Sequence, residues 1–191
     1  MELVVATSNY HKLQELRKIL PESFKIVGLS DIGFTGEIPE TGNTFEENAF
    51  QKARYLFQNL NHQGLADDSG LEVTALGNRP GVFSARYAGE GCTASDNVKK
   101  LLSEMEGIEN RKARFKTVLA LILDGKEYSF EGVIEGLITH APKGDKCFGY
   151  DPVFIPEGYT KTFAEMTADE KNRISHRAIA MQGLISFLKA N

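Results

Sequence analysis

The sequence predicts an α/β fold, an elongated mixed β-sheet flanked by helices, and three segments carry that prediction. The chain opens as strand, helix, strand: LVVAT, then SNYHKLQELRKIL, then KIVGLS. A second amphipathic helix, TFEENAFQKARYLFQNL, follows a polar loop. Farther on, RFKTVLALILDGKEYSFEGVIEGLITH reads as two long strands around Asp124-Gly125. A strand-helix-strand opening builds parallel sheet. An Asp-Gly turn joins antiparallel neighbours. Both in one chain make the sheet mixed.

In the first helix Leu13, Leu16, Ile19 and Leu20 recur at helical spacing, Asn9 is the N-cap and Pro21 the stop. DIGFTGEIPETGN is loop by its glycines and prolines. In the second helix Thr44 and Glu47 form a capping box, and Phe45, Ala49, Ala53, Leu56 and Leu60 form the stripe that faces the core. LADDSGLEVTAL reads as a strand pair broken around its two acids, and LGNRPGVFSARYAGEGC as a glycine-rich loop. Thr93 and Asp96 open a third capped helix, Thr167 and Glu170 a fourth. Ser175 starts the last helix, with Ile179, Met181, Leu184, Ile185 and Leu188 on its apolar face.

The chain has 191 residues, which suits one domain over 1–191, or one core in two lobes. Its net charge of −4 argues against a surface for nucleic acid polymers, which needs basic excess. A small polyanion remains open, since local lysines or a metal can supply positive charge. Cys92 and Cys147 stand far apart without metal-ligand spacing, so a reduced, intracellular setting is the simpler reading. The N-terminal MELVVATSNY lacks the flank and core of a signal peptide, and the longest aliphatic stretch, VLALILDG, is far short of a membrane span. No membrane association and a cytoplasmic location are the expectations.

Several residue groups are candidates for chemistry. Asp67 and Asp68 are adjacent, so on a strand their carboxylates point to opposite faces. Asp-Ser-Gly is also ordinary turn material. The functional alternative is a carboxylate that binds a hard cation such as Mg²⁺ or activates water. Glu40 is a second acid, in the loop before a capped helix. In ATSNYHK a strand ends and a helix begins, which exposes backbone N–H groups suited to phosphate, with Lys12 in the first turn. Plain capping by Asn9 explains the same residues. Asn48 and Lys52 share one face of the second helix, the usual pattern of a solvated face. Phe148, Gly149, Tyr150 and Asp151 place aromatics in a loop, able to stack on a base or to plug the core edge. EKNRISHRA gathers Lys171, His176 and Arg177, donors for a base edge or a solvated helix start.

Taken in order, VVATSNYHK, ETGNTFEENAFQKA, LADDSGLEV, PGVFSARYAGE, FGYDPVF and EKNRISHRA resemble the inosine triphosphate pyrophosphatase family almost end to end. These are house-cleaning nucleotidases that remove deaminated purine triphosphates. The resemblance implies two lobes with a substrate cleft between them, and Mg²⁺-dependent hydrolysis of ITP, dITP or XTP to the monophosphate and pyrophosphate. It implies that Thr7, Ser8, Asn9, Tyr10, His11 and Lys12 hold the phosphates, with Lys52 adding a contact. Ser8 stands where many relatives carry glycine. Glu40 and Asp68 bind the metal, and Asp68 also serves as general base. Ser69 contacts substrate, Phe148 to Asp151 hold the base with Phe148 stacking, Lys171 touches the nucleotide, and His176 and Arg177 recognise the 6-oxo group. A homodimer goes with the family. Two other readings stay open. One is a related enzyme favouring pyrimidine or modified nucleotides, against which the His-Arg pair argues. The other is a nucleotide-binding module without turnover.

Overall fold

The computed structural model describes residues 2–7, 9–20, 25–145 and 148–190, with the backbone alone for His11 and Ile19. Pro21, Ser8 and Cys147 lie outside it. The strands are β1 (Glu2–Val5), β2 (Lys25–Gly28), β3 (Gly64–Val73), β4 (Arg79–Pro80), β5 (Lys112–Leu123), β6 (Lys126–Ile138) and β7 (Phe154–Pro156). The helices are α1 (Tyr10–Ile19), α2 (Phe45–Leu60), α3 (Ala94–Glu104), α4 (Ala168–Ile174) and α5 (His176–Ala190). Strand order is β2-β1-β3-β5-β6-β7, with β4 on β3. β1 pairs parallel with β2 and β3, while β7 pairs antiparallel with β6, so the sheet is mixed as expected. No helix among the described residues is long and apolar enough to cross a membrane.

The chain forms two compact units. The first comprises Met1–Asp68, Thr117–Gly132 and Arg177–Asn191. Its core joins Leu3 and Val5 of β1, Leu65 of β3 and Leu119 and Leu121 of β5 to Leu13, Leu16 and Leu20 near α1 and Met181, Leu184 and Ile185 of α5. Leu65 and Asp67 share a parity on β3, so Asp67 points toward α1 and α5. Gly64, of the opposite parity, backs onto Leu56 of α2, and Asp68 points that way. The alternation of the two acids is therefore real, but the strand is not broken. β3 runs unbroken through Asp67, Asp68, Ser69 and Gly70. Each acid meets cations on its own face, so the turn that the sequence suggests is not needed.

Local signals act as expected in α2, where Thr44 accepts from the Glu47 N–H and Glu47 reaches back to the Thr44 N–H. Phe45, Ala49, Ala53 and Leu56 are buried, Leu60 only partly. Thr44→Ala removes this cap and is expected to cost about 1 kcal/mol, read as a melting temperature lower by about 2–4 °C. Asp124 and Gly125 take φ values of 51° and 73°, both left-handed, which a type I′ turn requires. In α5, Ile179 is 44% exposed, so the apolar face runs through Ala180, Met181, Leu184 and Ile185 instead.

The second unit comprises Ser69–Lys116 and Val133–His176. Its core packs Leu71 and Val73 of β3, Val98 and Leu101 of α3, Phe115 of β5, Ile138 of β6, and Phe154 and Phe163. The capping boxes at Thr93–Asp96 and Thr167–Glu170 are both formed. The glycine-rich stretch contains β4 and a short 3-10 helix over Gly81–Arg86.

Candidate functional site

In the first unit, the two acids of β3 organise two adjoining charge networks. Asp67 is 1% exposed and divides its oxygens between two elements. Lys12 Nζ of α1 sits 2.6 Å from Oδ1, and Arg177 Nε of α5 donates to Oδ2 at 2.8 Å. Glu15 of α1 also accepts from Arg177 Nη1. Burial alone would raise the Asp67 carboxyl, but Arg177 and then Lys12 outweigh it and hold the group far below the usual carboxylate range. The same acids hold the Arg177 guanidinium above its usual value against its own burial.

Asp68 meets α2 instead. Lys52 Nζ donates to Asp68 Oδ1 at 3.2 Å, to Glu40 Oε1 at 2.5 Å and to the Asp67 carbonyl at 2.8 Å. Those three bonds use all three N–H groups of an ammonium. Asn48 Nδ2 donates to Asp68 Oδ2 at 3.3 Å. Asn48 and Lys52 are thus buried, not on a solvated face. Burial raises the Asp68 carboxyl, and although Lys52 opposes this, Glu40 adds to it. One ammonium shared by two carboxylates does not neutralise both. Lys52 itself is raised, since Asp68 and Glu40 outweigh its desolvation.

This geometry fits a hard cation. Glu40 and Asp68 already converge on one positive charge, and both offer only oxygen. Among the described residues no three His, Cys, Asp or Glu side chains gather as a cage. Mg²⁺ needs none, because it is typically held by one or two carboxylates together with water and substrate phosphates.

At the start of α1 the Thr7 hydroxyl accepts from the Asn9 N–H at 3.1 Å, and Asn9 Oδ1 accepts from the Lys12 N–H at 3.2 Å. Asn9 is therefore the cap that the sequence indicates. Tyr10 is exposed. Ser8 lies outside the described residues, as does the side chain of His11.

In the second unit, Lys171 of α4 donates to Asp151 at 2.6 Å. Its ammonium stands 5.0 Å from the Phe148 ring centre and 5.5 Å from that of Phe163. The Asp151 N–H closes a turn onto the Phe148 carbonyl, and Gly149 takes φ 54° within it. Tyr150 is buried, and its hydroxyl donates to the Ser84 carbonyl at 2.9 Å. That burial raises its phenol. His176 is buried with its ring stacked on Phe115 at 4.9 Å, and Ser69 is half-buried on β3.

Two participants escape sequence reasoning, and a third is flagged there only by its helix spacing. Glu15 follows Lys12 by three residues, an ordinary helix-surface spacing. Asn48 reads as solvated. Ser84 is hidden in PGVFSAR, yet its hydroxyl accepts from the Leu71 N–H at 2.9 Å and donates to the Gly81 carbonyl at 2.6 Å. Only the long-range partners reveal them.

Comparison with known proteins places these features in context. The Ham1 family model matches residues 3–187. A dITP/XTP pyrophosphatase of Flavobacterium psychrophilum is 50% identical over 189 residues, covering 99% of this chain and 100% of the relative. The dITP/XTP pyrophosphatase of Bacillus subtilis is 49% identical over 193 residues, covering 99% and 98%. Among solved structures, the Ham1 protein of Staphylococcus aureus superposes with a TM-score of 0.91 at 38% identity, covering 100% of this chain and 99% of that one. A HAM1 protein of Coxiella burnetii gives 0.92 at 38% identity, with both chains covered in full.

Proposed function

The chain belongs to the Ham1 family, and on that premise we propose that it hydrolyses ITP, dITP and XTP to the nucleoside monophosphate and pyrophosphate. It is a nucleoside triphosphate pyrophosphatase, acting as one domain over residues 1–191. The observation that carries this reading is the convergence of Glu40 and Asp68 on a single cation beside Asp67 and its two basic partners.

Glu40 and Asp68 are the residues that would hold Mg²⁺. When bound, the ion offsets the charge of the triphosphate and the charge that develops as the anhydride breaks. Asp68 orients a water, or takes its proton, for attack on the α-phosphorus. The new P–O bond forms to that water, the bond to the bridging oxygen breaks, and pyrophosphate leaves with the electron pair. Lys12, Asn9 and the first N–H groups of α1, with Thr7, Ser8, Tyr10 and His11, bind the phosphates. Lys52 reaches phosphate by exchanging one of its three present acceptors. Ser69 and Lys171 contact the nucleotide, while Phe148 stacks on the base that Gly149, Tyr150 and Asp151 hold. His176 and Arg177 donate to the 6-oxo group. Adenine presents an amino group there, and each buried donor left unpaired costs about 1–3 kcal/mol. Guanine shares the 6-oxo group, so GTP must be rejected at another atom. Cleansing of the nucleotide pool, a cytoplasmic location and a homodimer accompany this reading.

The experiment is pyrophosphate release from ITP, XTP, dITP, ATP, GTP and dTTP, with Mg²⁺ and with excess chelator. Release from the first three, little from the others, and loss of all activity under chelation are expected. Faster release from dTTP would favour a pyrimidine enzyme. Nucleotide binding without release would make the chain a binding module.

A further inference from the structure

We propose that Asn48, locked by Gly42, is a positioning residue that fixes the rotation of the Asp68 carboxylate during hydrolysis. This rests on the reading of Asp68 as the acid that works on water. Asn48 lies in the first turns of α2 and is 1% exposed. Its Oδ1 accepts the Gly42 N–H at 2.8 Å. A backbone N–H only donates, so the amide oxygen must face Gly42. The NH₂ group is thereby turned toward Asp68, whose Oδ2 it meets at 3.3 Å.

The other oxygen of Asp68 belongs to Lys52, one turn farther along the same helix. Both carboxylate oxygens thus have a donor on α2. The two donors differ in kind. Lys52 is a swivelling point charge that also serves Glu40 and the Asp67 carbonyl. The carboxamide is planar and directional, and its far end is tied to backbone. Gly42 is part of the device. A Cβ there would stand 2.6 Å from Glu47 Cβ and 2.9 Å from Asn48 Oδ1, so a side chain would push the amide off its seat. A polar side chain buried this fully is disfavoured in a helix unless its bonds are made. Asn48 spends those bonds on the acid and on the loop that follows Glu40.

Misplacement of a reacting group by about 1 Å costs up to about 100-fold in rate. Asn48→Ala should therefore lower kcat for ITP about 10- to 100-fold at saturating Mg²⁺, with KM within about twofold, because Asn48 itself touches no substrate. Asn48→Ser and Gly42→Ala should move kcat in the same direction. A second readout needs no turnover. In ¹H–¹⁵N spectra of the metal-free protein, the side-chain NH₂ pair that vanishes on substitution of Asn48 should shift in Asp68→Asn.

Wild-type kcat in Asn48→Ala, beside an inactive Asp68→Asn, overturns the proposal and leaves the proposed function standing. A raised KM with unchanged kcat overturns it too, by placing Asn48 on the substrate. Wild-type kcat in Asp68→Asn instead removes the reading on which the proposal rests. Should Asn48→Ala fail to fold, Asn48→Ser and the spectra decide. An NH₂ pair indifferent to Asp68→Asn then overturns the proposal.

Discussion

Asp68→Asn is expected to lower turnover of ITP by about 10²- to 10⁴-fold, the usual worth of a positioned general base, while the chain stays folded. The substitution keeps the shape of the side chain, and the new amide oxygen can still accept from Lys52, but the new NH₂ then faces the NH₂ of Asn48, which Gly42 holds in place. Lys52 also keeps Glu40 and the Asp67 carbonyl as acceptors. One favourable contribution to stability follows from the raised pKa of the acid. A carboxyl held above its unfolded value opposes folding once ionised. Removing that charge near neutral pH therefore offsets the cost of the two facing NH₂ groups, about 1–3 kcal/mol, so the variant stays folded while it loses chemistry. Pyrophosphate release and a thermal melt on one preparation check both halves. A kcat within about twofold of wild type would take Asp68 out of the reaction.

Arg177→Ala is expected to produce the largest loss of stability, about 3–5 kcal/mol, as when one partner of a buried ion pair is removed. Arg177 is 2% exposed and bonds both Asp67 and Glu15. Without it Asp67 keeps only Lys12 of the two cations named above, inside a site that desolvates it. The pH dependence has a definite sign. Asp67 is held below its unfolded pKa, so its contribution is complete above about pH 4 and is lost as pH falls below that value. The gap in stability between wild type and variant should narrow on acidification through that window, as read by urea melts at a series of pH values. A gap that is constant with pH would mean that Asp67 and Arg177 do not interact as described. Among variant molecules that remain folded, the preference for ITP over ATP should also narrow. An unaltered ratio would count against base reading by Arg177.

Much of the fold is legible in the chain because its signals are local. The boxes at Thr44, Thr93 and Thr167 satisfy their own helix ends, and Asp124-Gly125 sets its own turn. β3 is misread for the opposite reason. Asp-Asp-Ser-Gly has turn chemistry, and its charges are tolerated in a strand only because partners arrive from far away. Arg177 is 110 positions from Asp67, and Lys52 is 16 from Asp68. The same distance hides the role of Asn48, since an Asn-Lys pair one turn apart looks like any wet helix face until an acid is placed opposite. Ile179 shows the converse. It has apolar chemistry on α5, yet the helix turns it outward, because Met181, Leu184 and Ile185 already define the face that fills the core. The resemblance to pyrophosphatases names most of the polar positions, but it does not distinguish a residue that touches ligand from one that holds another in place. In this structure Lys52 places its three N–H groups on Glu40, Asp68 and the Asp67 carbonyl, and Arg177 bonds two acids, so each also holds other residues in place.

The most direct test is a crystal structure grown with Mg²⁺ and a non-hydrolysable inosine triphosphate analogue. The ion is expected to be coordinated by Glu40 and Asp68, with the phosphate tail against Lys12 and the first turn of α1. A tail bound elsewhere, or an ion that ignores both carboxylates, would contradict it.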